Sequence, residues 1–235
     1  PTEKTRFRLP WAFEESEVRK QLRLETIQKE HLDKFALEME RAIRLAALFV
    51  KYLQVFTLAR NGETLLTLRR SNNNGVIRLD DGTEPVDWQI FSADFHQEAS
   101  AMRSKLEYLI EKKKSSEVYI AVPNIPLEQS ALYAILPTEM RLPLPFHISA
   151  DFYTNEDRKS ILLGQDYQSE WNRHAIGAAA TAAAQHFDPI IDLFAPEHLW
   201  QFLSQIQKIT HTEGQDAVFQ KFWEKLLPFL PDKAI

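Results

Sequence analysis

The chain contains no cysteine among its 235 residues. Disulfide bonds and thiolate metal centres are therefore excluded, which favours a reducing compartment and a cytoplasmic location. No run of about 18 uncharged apolar residues is present, so a membrane-spanning helix is not expected. The first residues, PTEKTRFRLPW, lack the apolar core of a signal peptide.

Glycine is scarce, and its six copies are scattered along the chain. Neither a phosphate-binding loop nor a dinucleotide fingerprint can be written with this spacing. The seven histidines never reach the paired spacing of a helical zinc site. No Gly-x-Ser-x-Gly elbow is present, although a catalytic triad assembled from distant positions stays open. These absences give a stand-alone enzyme little support from the sequence.

Charge of one sign is not concentrated anywhere. The chain carries 28 basic and 33 acidic residues for a net charge of −5. Because lysine and arginine are dispersed, a nucleic-acid surface is not favoured. The composition is 44% hydrophobic and 26% charged, which is typical of a chain that folds around a core.

The first half predicts a helical region followed by a strand meander. TRFRLP alternates like a short strand that stops at Pro10, and apolar residues from Glu14 to Tyr52 follow the helical period as one long helix or two in series. Asn61-Gly62 predicts a tight hairpin turn. SNNNG, DDGT and VDWQIF extend this hairpin to a four-stranded antiparallel meander.

The second half predicts further strands and then helices. An apolar stripe beginning at Ala99 predicts a helix that ends in the Lys112–Lys114 run, a solvated helix end where cations suit the helix dipole. EVYIAVPN, ALYAILPT and LPFHISADFYT read as strands. An alanine-rich helix follows Trp171, and PEHLWQFLSQIQ and AVFQKFWEKLLPFL read as amphipathic segments. These patterns together predict an α/β (α+β) fold with helical elements at both ends.

One connection is unusually polar: Asn155, Glu156, Asp157, Arg158 and Lys159 follow the last predicted strand and precede a helix. Loops held at the end of a strand often carry ligand-contacting side chains. The alternative is a solvated turn in which Arg158 pairs with Glu156 or Asp157, an interaction of little energetic value. Spacing alone leaves both interpretations open.

The segment LYAILPTEMRLPLPFHISADFYTNEDRKSIL, followed by WN, resembles the pattern LYxFLPT…PFPxHIxADFxxTxxRxxI…WN of sacsin-like proteins and their bacterial relatives. These belong to the GHKL ATPase superfamily, with gyrase and the heat-shock-protein-90-like chaperones. TRFRLP also resembles the last strand of a GHKL ATPase domain, except that Lys4 replaces its glycine. The resemblance is specific over residues 131–172, loose over 1–130 and absent beyond about 190.

This resemblance implies a middle or transducer domain like the second domain of ribosomal protein S-five, a sheet backed by helices. In the large heat-shock chaperone the corresponding turn carries Ser-Arg-Glu, whose arginine reaches the γ-phosphate of ATP. Arg158 matches that arginine, with Asp157 and Lys159 in place of serine and glutamate. A planar guanidinium suits recognition of a terminal phosphate. Asn155 and Lys159 are further candidates for contacting the nucleotide.

The implied organisation is residues 1–10 as the end of an upstream ATPase domain, 11–52 as a helical connection, 53–190 as the transducer domain and 191–235 as a helical extension. The chain is then a piece of a larger bacterial ATPase and chaperone, and it is not expected to hydrolyse ATP alone. ATP and Mg²⁺ are implied as cofactors, bound mainly by that upstream domain of the same polypeptide. A client protein and a homodimeric partner are left open, and neither a membrane nor nucleic acid is expected as a partner.

Other residues have structural interpretations. Asn172 or Ser169 is expected to cap the following helix while Trp171 fills its junction with the sheet. The tail aromatics, including Phe202, Phe219 and Phe222, are expected to be core. The alternative function is a non-catalytic protein-interaction or dimerisation module that binds a partner through this tail. DNA binding by a gyrase-like transducer is a third, weaker hypothesis.

Overall fold

The computed structural model describes residues 13–106, 108–211 and 213–229, without the side chains of 211, 215 and 216. The chain divides into two compact units, and the boundary falls between Arg44 and Leu45. The predicted strand TRFRLP lies outside the described residues.

The described residues before Leu45 form two helices. Helix α1 spans Glu17–Gln21, and the Ser16 hydroxyl caps it by accepting a hydrogen bond from the Arg19 amide at 3.3 Å. Helix α2 spans Lys29–Ala47 and crosses the boundary into the second unit. The predicted helical region from Glu14 to Tyr52 is therefore two helices in series, and both lie inside the predicted limits.

The predicted meander is confirmed as four consecutive antiparallel strands. The turn between the first two has Asn61 and Gly62 at φ 54° and 86°, and Asn74 and Gly75 repeat this geometry in the next turn. Positive φ at both central residues matches the twist of the flanking strands. The strands are β1 (Val55–Arg60), β2 (Glu63–Asn73), β3 (Val76–Asp80) and β4 (Val86–Asp94).

Four further strands complete an eight-stranded mixed sheet in the order β1-β2-β3-β4-β5-β8-β6-β7. Strand β8 is antiparallel to β5 and parallel to β6, which is the one parallel pair among the described strands. They are β5 (Glu117–Pro123), β6 (Ser130–Ala134), β7 (Leu136–Leu142) and β8 (His147–Ala150).

The prediction that ALYAILPT forms one strand is wrong. This stretch contains the end of β6, a turn and the start of β7. Ile135 is exposed at this turn with φ 74°, and Ala134 pairs with Leu136 across it. A β-branched residue at positive φ is a backbone outlier. Periodicity missed the turn because none of its residues is of the type that usually marks one.

Helix α3 follows the meander, and helices α4 to α7 follow β8. Helix α3 ends at Lys105 rather than in the predicted Lys112–Lys114 run, so these lysines do not terminate a helix. The helices are α3 (His96–Lys105), α4 (Tyr167–Gln185), α5 (Phe187–Ile191), α6 (Pro196–Lys208) and α7 (Lys221–Leu226), with short 3-10 turns at Ile209–His211, Gly214–Gln220 and Leu227–Phe229.

One face of the sheet carries the main hydrophobic core, and we call it the helix face. Phe91, Ile120 and Ile148 lie opposite one another on β4, β5 and β8 and are buried there. Helix α4 packs against β4 and β5. Its alanines, such as Ala179 and Ala183, are fully buried, because small side chains allow a helix to approach a sheet closely.

Most of the tail aromatics belong to this same core, as predicted. Phe202, Phe219 and Phe222 are fully buried, and the Phe222 ring lies 5.7 Å from that of Phe146. Trp200 and Phe229 are exceptions, because 57% and 41% of these residues are exposed. Removing the tail would therefore strip core residues from the sheet. No helix among the described residues is both long and apolar enough to cross a membrane.

His147 gives the fold a pH dependence. It is buried on β8, its Nδ1 accepts a hydrogen bond from the Ala131 amide at 2.9 Å, and its ring stacks on Trp88. Burial, and secondarily the positive charge of Arg141, lowers the pKa of His147 to about 3. The unfolded chain takes up this proton near pH 6.5, so stability from this group is complete above that pH and is lost as the pH falls toward 3.

We therefore expect the free energy of unfolding to fall by about 2 kcal/mol between pH 7 and pH 5 through His147 alone. Urea unfolding at both pH values measures this difference. The variant His147→Gln removes the titrating group, so its free energy of unfolding should fall by about 2 kcal/mol less between the two pH values. Equal slopes in the two proteins would show that His147 takes up its proton in the folded state.

Candidate functional site

The polar connection after β8 forms a small hairpin, which we call the Arg158 loop (residues 153–162). The Leu162 amide donates to the Tyr153 carbonyl at 3.0 Å, and Thr154 and Ile161 form an antiparallel bridge. Helix α4 starts only at Tyr167. The connection therefore precedes a helix as predicted, but the chain first doubles back on itself as a hairpin.

The tip of the loop is held by its own polar groups. The Arg158 amide donates to the Asn155 carbonyl at 3.0 Å, and the Asn155 side-chain oxygen accepts from the Ser160 amide at 3.1 Å. Asp157 accepts from the Lys159 amide at 2.9 Å. Two of the crowded side chains, Asn155 and Asp157, thus close the turn, which explains part of the polar composition of this connection.

Arg158 itself adopts φ 58°, a left-handed conformation that costs a residue with a Cβ about 1–2 kcal/mol. Its side chain is exposed and has no hydrogen-bond or ion-pair partner within the part of the chain that the structure describes. The alternative interpretation, a surface pair with Glu156 or Asp157, is not what the structure contains. Strain of this kind persists where the surroundings enforce it and often marks functional sites.

The other two candidate residues are engaged within the unit. Lys159 forms an ion pair with Glu139 on β7 at 3.1 Å, and both side chains are exposed. The hydrogen bond to Glu139 and its negative charge raise the pKa of Lys159. The Lys159 carbonyl also accepts from the Glu139 amide at 2.8 Å, which ties the loop to the edge strand. Asn155 and Lys159 therefore support the loop, and Arg158 presents its charge to solvent.

Asn172 holds the base of the loop. Its side-chain oxygen accepts from the Tyr153 amide at 2.8 Å, and its nitrogen donates to the carbonyls of Tyr153 and Leu162 at 2.7 and 2.8 Å. The residue is buried inside α4. One carboxamide thus satisfies backbone groups of both arms of the hairpin. This anchoring role is absent from the sequence-based interpretation, which made Asn172 a candidate helix cap.

The prediction that Asn172 or Ser169 caps α4 is wrong. The cap is Asp166, whose carboxylate accepts from the Ser169 amide at 2.7 Å. That hydrogen bond lowers the pKa of Asp166. Asp166 stands at the position that the capping rule requires, but the helix begins earlier than the alanine pattern indicates.

A second set of contacts fixes the strand end from which the loop rises. The Trp171 indole donates to the Asp151 carbonyl at 3.1 Å, and the Asp151 carboxylate accepts from Lys114 and from the Ser115 amide, both at 2.9 Å. The Lys114 side chain is only 9% exposed. The predicted solvated lysine run is therefore wrong for Lys114, because this lysine is a buried structural cation.

Tyr153 packs at this strand end as part of an aromatic cluster. The Lys114 nitrogen lies 3.9 Å from the centre of its ring, and the rings of Tyr167 and Trp171 meet it edge-on. Burial raises the pKa of Tyr153 to about 12. The phenol therefore stays protonated at neutral pH, and the cluster stabilises the loop without supplying an acid or a base.

The chemistry available at the loop is that of one outward-pointing guanidinium on a rigid support. It can neutralise an anion that approaches from solvent, and it cannot hold a metal ion. No group of three or more acidic or histidine residues positioned for a metal occurs in residues 13–106, 108–211 and 213–229. Comparison with known proteins found no matching family model, no similar curated protein and no similar solved structure.

Proposed function

We propose that this chain is the middle or transducer region of a GHKL-type, sacsin-like ATPase and that Arg158 supplies a guanidinium to the γ-phosphate of ATP. The nucleotide and Mg²⁺ are held by an upstream domain of a longer cytoplasmic polypeptide. An arginine delivered across a domain boundary stabilises the charge that develops in the transition state. Release of this contact after hydrolysis couples the chemistry to a movement between domains.

The observation that carries the proposal is the geometry of Arg158. Asn172 fixes the base of the loop by accepting one hydrogen bond and donating two, and the Arg158 backbone is strained at φ 58°. Its side chain is exposed without a partner in the described part of the unit. A rigid loop that holds an unneutralised cation in solvent is suited to contact an anion that is bound by another domain.

The mixed sheet backed by helices is compatible with the finer fold in the proposal, a middle domain like the second domain of ribosomal protein S-five. The alternative, an interaction module that uses the aromatic tail, has less support. Phe202, Phe219 and Phe222 are buried in the core, so they are not available to a partner.

The test uses the polypeptide that joins this chain to its nucleotide-binding domain. Arg158→Ala and Arg158→Lys should each lower ATP turnover by about 100-fold or more, because a lysine cannot reproduce the planar fork. Melting temperatures should change little, since the side chain has no partner in the described residues. Steady-state ATPase assays and thermal melts measure both effects.

The matched control is Arg69→Ala, which removes another exposed arginine on β2 of the same unit. It should leave turnover unchanged. Full turnover in both Arg158 variants would remove this residue from the mechanism, and an equal loss in the Arg69 variant would indicate a general charge effect.

A further inference from the structure

Arg70 occupies a position of β2 where the strand pattern calls for an apolar residue. Leu66, Leu68 and Arg70 alternate along the strand, and all three are buried. Arg70 lies opposite Leu79 on β3, and both lie on the side of the sheet opposite the helix face that carries Phe91. Only 8% of the residue is exposed. A guanidinium therefore stands in an otherwise apolar row.

The buried guanidinium is poorly compensated by the protein. Its Nη2 donates to the Leu48 carbonyl at 3.5 Å, at the long limit of a hydrogen bond. Its Nε is buried without a hydrogen-bond partner among the described residues. Burial lowers the pKa of Arg70, and no acidic group in the described part of the chain opposes this effect. A buried charge without a counterion is costly, so its presence needs an explanation other than stability.

The same residue lines a cavity of about 520 Å³. The floor is apolar and includes Ile77 and Ile90, and polar groups are added by Asn72 and Ser92. Among the described residues that line it, none is acidic. This volume falls in the range of small-molecule sites, which combine mostly apolar walls with a few polar groups.

A second cation stands at the rim of the cavity. Lys51 is exposed, and its Nζ lies 5.3 Å from the centre of the Tyr119 ring. The Tyr119 hydroxyl donates to Glu117, so the ring rather than the hydroxyl is available to a ligand. The cavity thus offers positive charge from Arg70 and Lys51 beside an aromatic and aliphatic surface.

We propose that this cavity binds a small organic anion, whose carboxylate or phosphate group is held by Arg70 and whose apolar body lies on Ile77, Ile90 and the Tyr119 ring. A carboxylate or phosphate group accepts two parallel hydrogen bonds from a guanidinium and supplies the negative charge that Arg70 lacks among the described residues. Lys51 adds attraction at the entrance. The proposal concerns this unit alone and does not depend on ATP or on Arg158.

The experiment is a thermal-melt and calorimetric titration of the chain at constant ionic strength. The probes are benzoate, phenyl phosphate and inorganic phosphate, with benzamide as the uncharged comparison. We expect saturable binding and a rise in melting temperature with benzoate or phenyl phosphate, and none with benzamide. The better of the two anions identifies the head group, and weak binding of inorganic phosphate shows that the apolar surface contributes.

The decisive variant is Arg70→Met, an unbranched apolar replacement. It should weaken binding by about 30-fold or more. It should also raise the melting temperature of the free protein by about 2–4 °C, because an uncompensated buried charge is removed. The matched control Arg69→Met removes the neighbouring exposed arginine and should bind like the parent chain.

A second variant tests the proposal even if Arg70→Met does not fold. Ser92→Phe fills the cavity while Arg70 is kept, and it should abolish binding of benzoate and phenyl phosphate. Undiminished binding in Arg70→Met would overturn the proposal. Failure of all three anions to bind the parent chain, or a clear fall in melting temperature in a folded Arg70→Met protein, would equally assign Arg70 a purely structural role.

Discussion

Replacing Asn172 by leucine should lower the free energy of unfolding by about 3–5 kcal/mol, although the substitution keeps the size of the side chain. The change leaves the Tyr153 amide and the Leu162 carbonyl without a hydrogen-bond partner, while the Tyr153 carbonyl keeps only the hydrogen bond from the Leu162 amide. Each buried backbone group that loses its hydrogen bond costs about 1–3 kcal/mol. Urea unfolding of the parent chain and of the variant measures the difference.

The same variant tests whether Asn172 positions the Arg158 loop for ATP turnover. If the proposed function is right, Asn172→Leu slows ATP turnover about 10-fold in the longer polypeptide, since a misplaced catalytic group loses rate even without direct contact. Thr181→Val on the same helix is the control. It removes one hydroxyl that bonds to the Gly177 carbonyl within α4, and it should change stability by about 1 kcal/mol or less and turnover not at all.

Substitution of Arg158 by glycine should raise stability and lower ATP turnover. We expect Arg158→Gly to raise the free energy of unfolding by about 0.5–1 kcal/mol, because glycine adopts φ 58° without the penalty of a Cβ. Arg158→Ala keeps that penalty and should be neutral. Both variants should lose the same large fraction of ATP turnover, so the more stable protein is no more active than the alanine variant.

This pair of variants distinguishes a strained turn that is needed for ATP turnover from a turn that has no functional role. Chemical unfolding midpoints give the stability, and steady-state assays give the turnover. A clear loss of stability in Arg158→Gly would mean that the guanidinium has a stabilising role within its own unit. Turnover that survives in the glycine variant would mean that the strained arginine is not the phosphate-contacting group.

The anchoring contacts explain why the connection after β8 is so polar. Asn155 and Asp157 close the turn, Lys159 ties it to Glu139, and Arg158 is left to solvent. The base of the loop is set by Asn172, and the strand end by Trp171 and Lys114 through Asp151. A loop fixed at so many points presents its free cation with little loss of conformational entropy on binding.

The sequence by itself determined the features that depend on neighbouring residues. Asn61-Gly62 and Asn74-Gly75 specify the meander turns, because only such residues adopt positive φ readily at both positions. The alanine run specifies a helix that packs closely on the sheet. The exposure of Arg158 also followed from its place in a polar connection beyond a strand end.

Tertiary structure decided the roles of Asn172, Lys114 and Arg70. Asn172 lies in a helix and bonds to a loop, Lys114 follows a helix and pairs with a strand end, and Arg70 faces a cavity. Local patterns predicted a cap for the first, a solvated charge for the second and no particular role for the third. The reason is physical: periodicity and turn preferences act over a few residues, whereas a buried polar group is satisfied only by the partner that packing brings to it.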